Sequence, residues 1–159
     1  MSDFKSMASD ITCIHLPDGA CNDLSCSTLD FCRFDLLEEL IIGDDSFCFV
    51  DSFIINGLSH LKSLKIGRNS FTKRKSDWGN DPSRSFHILN CDELESIEIG
   101  EYSFCDYSGG FELRNLPRLS TIKMDIYNFC FSSFEINGII DMILLMNRSS
   151  EFIFDCFRQ

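Results

Sequence analysis

Leu61-Lys62-Ser63-Leu64-Lys65-Ile66-Gly67-Arg68-Asn69-Ser70-Phe71 is a phrase that this chain repeats. It returns as Leu37-x-x-Leu40-x-Ile42-Gly43-x-x-Ser46-Phe47 and as Leu94-x-x-Ile97-x-Ile99-Gly100-x-x-Ser103-Phe104. Weaker copies start at Leu119, with Ile122, Met124 and Phe129, and at Ile11, with Ile14, Leu16 and Cys21. The starts at 11, 37, 61, 94 and 119 are separated by 26, 24, 33 and 25 residues. Self-similarity at a period of about 20–50 residues means one structural unit stacked on itself.

The unit has a second half. Eight residues before each phrase an apolar pair recurs at a spacing of two: Phe53-x-Ile55, Phe86-x-Ile88, Phe111-x-Leu113 and Leu29-x-Phe31, with Phe134-x-Ile136 and Phe152-x-Phe154 extending the series. Alternation of this kind reads as a short strand with one buried face. Each repeat therefore holds two short strands and little helix. A unit of that size cannot bury its apolar edge alone, so neighbours stack to make a continuous core. The expected fold is a mainly β repeat solenoid of parallel short strands.

The phrase resembles the constant segment of the leucine-rich repeat, L-x-x-L-x-L-x-x-N-x-L, with Phe71 standing for the last leucine. The Gly-x-x-Ser-Phe that follows the strand is similar to the variant found in bacterial and protist surface proteins, sometimes called BspA-like. The resemblance covers residues 11 to about 138 and implies a leucine-rich-repeat-like solenoid of about five repeats. One position departs from the family. Its asparagine column holds Asn69 once, and otherwise Gly19, Asp45, Tyr102 and Tyr127, so the buried asparagine ladder of ordinary members is expected to be absent.

Length allows one domain. Residues 1–10 read as an N-terminal tail, 11–138 as the repeat body with an insertion at 72–85, and 139–159 as a degenerate apolar repeat or cap. The 16 phenylalanines among 159 residues are explained by the repeat, which puts Phe after each column serine and at the head of each return strand. No apolar run reaches the ~20 residues of a spanning helix; the longest, Ile139 to Met146, is interrupted by Asp141. The opening residues carry no secretory pattern, so the expected compartment is cytoplasmic. An apolar C-terminal edge, where a solenoid wants a polar cap, is a route to self-association.

Nine cysteines are an odd number, and without a secretion signal reduced thiols are the default. Repeat phase puts Cys21 in the column of Phe47, Phe71 and Phe104, and Cys91 in that of Leu58 and Leu116, where both act as small apolar residues. Cys105 and Cys130 share a phase on adjacent repeats, at a spacing a disulfide accepts. Cys13, His15, Cys21 and Cys26 crowd the first repeat, but their spacings lack the tight C-x2-C pairs of structural zinc. No metal or cofactor is expected.

Net charge is −11, yet residues 62–84 carry seven cations against two carboxylates, a local +5 that leaves −16 for the rest. An acidic chain is a poor partner for nucleic acid. The basic repeat suggests an acidic protein partner instead. It also holds the irregular insertion, Thr72 to Ser85, with the only tryptophan, Trp78. Long insertions emerge on one edge of a solenoid, often the binding edge. Lys73, Arg74, Lys75, Trp78 and Arg84 are therefore candidate partner-binding residues. On the constant strands, Cys13, Glu39, Ser63, Ser96 and Thr121 form one projecting column, and His15, Ile41, Lys65, Glu98 and Lys123 the next. Glu39, Ile41, Lys65, Glu98 and Lys123 are the candidates there, with Ile41 as an apolar anchor. Lys65, Glu98 and Lys123 also read simply as a charge ladder across strands.

Catalysis finds little support. The three histidines fall in different repeats and phases, and no phosphate loop, nucleophile elbow or HExxH is present. The expected function is non-enzymatic protein–protein interaction through the repeat face and the basic tryptophan loop. The alternative is a fragment of a larger repeat-containing surface or receptor protein, with a structural role and no independent activity.

Overall fold

The computed structural model describes residues 7–24, 28–73, 81–129 and 134–137. Among them are ten short strands: β1 (Cys13–Leu16), β2 (Thr28–Asp30), β3 (Glu39–Ile42), β4 (Ser52–Asn56), β5 (Ser63–Ile66), β6 (Ser85–Leu89), β7 (Ser96–Ile99), β8 (Phe111–Arg114), β9 (Thr121–Met124) and β10 (Phe134–Asn137). Odd-numbered strands form one sheet in the order β1-β3-β5-β7-β9, here sheet A, and even-numbered strands form the other, sheet B, in the order β10-β8-β6-β4-β2. All pairings are parallel. The chain thus passes once through each sheet and returns; one such passage is a rung. The expected pair of strands per repeat, in parallel sheets with almost no helix, is what these residues adopt.

Register repeats without a slip. Ile14, Leu40, Leu64, Ile97 and Ile122 align across sheet A, as do Leu16, Ile42, Ile66, Ile99 and Met124. Phe53, Phe86 and Phe111 align across sheet B. The aligned residues point inward because side chains alternate along a strand, and a slip of one would expose the whole apolar set. The corner from sheet B to sheet A recurs too: the amides of Leu37, Leu61, Leu94 and Leu119 donate to the carbonyls of Phe34, Leu58, Cys91 and Leu116.

Two phenylalanine stacks run through the core. Phe47, Phe71, Phe104 and Phe129 stack at centroid spacings of 5.2, 4.6 and 4.9 Å. Phe53, Phe86 and Phe111 make a second stack, with 5.0 Å between rings. Edge-to-face contacts such as Phe86 with Phe104 at 5.0 Å lock the stacks together. The first stack comes at a conformational cost. Phe47, Phe71, Phe104 and Phe129 all have φ between 49° and 57°, the left-handed region that costs a bulky residue about 1–2 kcal/mol. Burial of the ring offsets that cost, since full burial of a Phe side chain is worth about 1.5–3 kcal/mol.

Between strand and phenylalanine the chain turns through two further devices. Gly43, Gly67 and Gly100 pack against the backbone of the preceding rung, and a Cβ on Gly67 would lie 2.6 Å from the Asp44 amide nitrogen. Glycine is the residue that fits such an approach. Three residues on, the amide of Ser46 donates to Ser70 Oγ at 3.1 Å, that of Ser70 to Ser103 Oγ at 3.0 Å, and that of Ser103 to Asn128 Oδ1 at 2.8 Å. Each hydroxyl then donates onward, Ser70 to the Gly43 carbonyl at 2.9 Å and Ser103 to that of Gly67 at 2.7 Å. A buried polar ladder is therefore present. Sequence reasoning looked for it in the asparagine column, where Asp45 and Tyr127 face solvent, and it lies one residue later in serine.

Ser85, counted in the insertion, opens β6, and Thr72 at its other end is buried. The expected cap at 139–159 lies outside the described residues.

Candidate functional site

Sheet A leaves one face uncovered by its own core. The register places Cys13, Glu39, Ser63, Ser96 and Thr121 in one outward column and His15, Ile41, Lys65, Glu98 and Lys123 in the next, as the repeat phase requires. Ile41, expected as an exposed anchor, is half-buried in its column between His15 and Lys65.

Charge on this face is arranged in pairs across rungs. Lys123 Nζ lies 2.8 Å from Glu98 Oε1 and Lys65 Nζ 3.8 Å from Glu98 Oε2, so one carboxylate serves two cations. The Lys123 hydrogen bond holds the Glu98 carboxyl below its ordinary range. His15 Nε2 lies 2.7 Å from Glu39 Oε2. At the edges Lys62 pairs with Glu38 at 2.8 Å and Arg68 with Asp44 at 2.9 Å. Each of those hydrogen bonds favours the ionised forms, lowering the Glu38 carboxyl and raising Lys62 and Arg68.

Beyond the ends of β5, β7 and β9 the face deepens into an open cleft of about 470 Å³. Lys65, Arg68 and Lys123 line it together with Asp44, Glu98, Glu101 and Asp125. It brings together three of the five face candidates; Glu39 and Ile41 lie on the neighbouring strand, outside it.

The basic second repeat has a different fate from the one its composition suggests. Lys62, Lys65, Arg68, Lys73 and Arg84 each face a carboxylate of an adjacent rung: Glu38, Glu98, Asp44, Asp51 and Asp106. Arg84 in particular is not a partner-binding residue. It is 0% exposed, with Nη1 donating to Asp106 Oδ2 at 2.6 Å and Nη2 to the carbonyls of Val50 at 2.6 Å and Cys48 at 3.0 Å. Its guanidinium also lies 4.5 Å over the Tyr107 ring. A buried arginine without partners would be prohibitively costly, and these contacts offset most of that cost. Burial raises the Tyr107 phenol, which donates to the Val50 carbonyl at 2.6 Å.

Arg84 and Asp106 do one further thing. The Lys73 amide donates to Asp106 Oδ2 at 3.2 Å, and the Asp81 amide to the Asp106 carbonyl at 3.0 Å. Both described ends of the insertion are thus tied to one residue of the next rung. Arg74, Lys75 and Trp78 lie outside the described residues, as do Cys26 and Cys130. Sequence reasoning missed Asp106 and Tyr107; neither stands in a repeating column, so no periodic signal marks them. The serine ladder did carry such a signal, since Ser46, Ser70 and Ser103 recur in every full copy of the phrase.

On the opposite side, sheet B presents Ile54, His87 and Glu112 in one outward column. His87 Nδ1 sits 3.1 Å from Glu112 Oε2, and Arg114 Nε lies 3.3 Å from Glu112 Oε1. No helix among the described residues is long and apolar enough to cross a membrane. Neither a family model, a characterised protein nor a solved structure matches this chain.

Proposed function

We propose that this chain is a leucine-rich-repeat-like solenoid whose work is non-enzymatic protein binding, with the outward face of sheet A as its docking surface. The observation that carries the reading is the cleft itself: three face candidates, Lys65, Glu98 and Lys123, converge on it from strands held in unbroken register. The surface is polar, charged and shaped, and its strands are held in regular register by hydrogen bonds, which reduces the ordering a partner must impose. Short side chains such as Ser63, Ser96 and Thr121 leave the sheet accessible to a partner's backbone. The insertion, with Trp78 at its centre, stands as a second contact region, and Arg84 and Asp106 fix its feet.

A photo-crosslinking amino acid at Ser96, set against one at Ile54 on sheet B, tests the reading in an extract of the source cells. The expected result is a discrete crosslinked protein from position 96, competed away by unlabelled chain, with none from position 54. Equal labelling from both positions, or none from position 96, contradicts it.

A further inference from the structure

The three cations of the cleft are already engaged, and they engage only two of its four carboxylates. Lys65 and Lys123 both meet Glu98, and Arg68 meets Asp44. Glu101 and Asp125 also line the cleft, and neither makes an ion pair among the described residues. Continuing the register of Ile99 with Met124 sets Asp125 opposite Gly100 and Glu101 opposite Ile126, so the two carboxylates stand one position apart on adjoining rungs and line the same cleft. The next residues along the chain are aromatic and apolar. Tyr102 stacks on Tyr127 with ring centroids 4.9 Å apart, while Ile126 and Tyr127 remain 39% and 37% exposed.

Resting on the reading that sheet A docks a protein, we propose that the occupant of this cleft is an extended cationic segment of another protein. An arginine or lysine side chain is held between Glu101 and Asp125, and its stem lies along the Tyr102–Tyr127 pair. Charge complementarity selects this occupant. The cleft has four carboxylates against three cations, and the three are held by two of the four. Aromatic faces attract guanidinium and ammonium groups, and Arg is enriched where proteins dock. Lys65, Arg68 and Lys123 at the margin repel misplaced cations and so fix register. A second copy of the chain is disfavoured, because two bodies of net charge −11 repel. The sign is opposite to the one the basic second repeat suggests, because each described cation of that repeat already meets a carboxylate.

The test is fluorescence anisotropy on the full chain with two labelled octapeptides, alternating Gly-Arg and alternating Gly-Glu. Glu101→Gln with Asp125→Asn is the face variant. Asp35→Asn with Asp92→Asn, exposed residues at the opposite corner, makes the same change in net charge. Circular dichroism confirms that both are folded. The expected result is binding of the arginine peptide, weakened about tenfold or more in the face variant and within about twofold in the control. The glutamate peptide should not bind. Equal weakening in the two variants, an unaffected face variant, failure of the arginine peptide to bind, or preference for the glutamate peptide each overturns the proposal. If it fails while crosslinking at Ser96 still captures a protein, the docking surface stands and only the partner's charge is wrong. If crosslinking at Ser96 fails, the docking reading falls first.

Discussion

At the corner leaving sheet A, Ser46, Ser70 and Ser103 pass one hydrogen bond from rung to rung, amide to serine hydroxyl at two steps and to Asn128 Oδ1 at the third. At the following corner of the third rung, one buried cation does the closing, with Arg84 paired to Asp106 at 2.6 Å and 3.6 Å from Asp51. The serine solution uses small neutral groups, each satisfied by a neighbour that is itself satisfied. The arginine solution gathers two carbonyls, a carboxylate and a tyrosine ring around one buried cation. Among the described residues it also leaves Arg84 Nε and Asp106 Oδ1 without hydrogen-bond partners. A ladder spreads its free energy over many rungs, whereas a clamp concentrates it in one place.

The sharpest way to break the contrast is to remove the clamp. Arg84→Ala takes the ion-pair partner from the buried Asp106 carboxylate and a donor from each of the Val50 and Cys48 carbonyls, and is expected to cost about 3–5 kcal/mol in urea unfolding. Arg84→Met combined with Asp106→Leu should lose less than the two single changes summed, because the pair is coupled. Strict additivity would show that the two groups do not act as a unit. Ser70→Ala comes next. It orphans the Ser46 amide and the Gly43 carbonyl, for an expected loss of about 1–3 kcal/mol. A larger loss than Arg84→Ala would reverse the comparison.

The difference also explains what could be read from sequence. Strands, sheets, the phenylalanine columns and the outward columns of sheet A were legible, because each is stated several times at a fixed spacing and period-two alternation has one physical meaning. Arg84 was counted as a surface cation, because seven basic residues in one stretch look like a patch. Its burial depends on Asp106 and Val50, 22 residues later and 34 earlier, in places no periodicity marks. For Ile41 the phase is right, but its neighbours in the column leave the side chain only partly exposed. The serines recur in every full copy of the phrase, but their spacing alone does not say that each hydroxyl takes the amide of the rung before it.

Smaller effects sharpen the picture further. Burial pushes the Cys91 thiol up to about 11 from an ordinary 9.0. A raised folded value means that the folded state holds its proton longer. The associated stability is present below pH 9.0 and is lost as pH climbs toward about 11. Thermal midpoints of Cys91→Ala against the parent chain should therefore converge across that window; a constant gap would contradict the assignment. Least of all is the face ladder. Glu98 is held below its ordinary range by Lys123, so its contribution is present above the carboxylate range, near pH 4.3, and is lost as pH falls through the depressed value. Glu98→Gln should cost no more than about 1 kcal/mol near neutrality, and the gap should vanish in acid.

Native-state amide hydrogen exchange by NMR tests the frame most directly. The ladder account predicts that the amides of Ser46, Ser70 and Ser103, although they stand in turns, exchange as slowly as those of Leu64 and Ile97 in the strands of sheet A. Exchange at the rate of open turns would contradict it, and with it the rigid frame on which the proposed docking face depends.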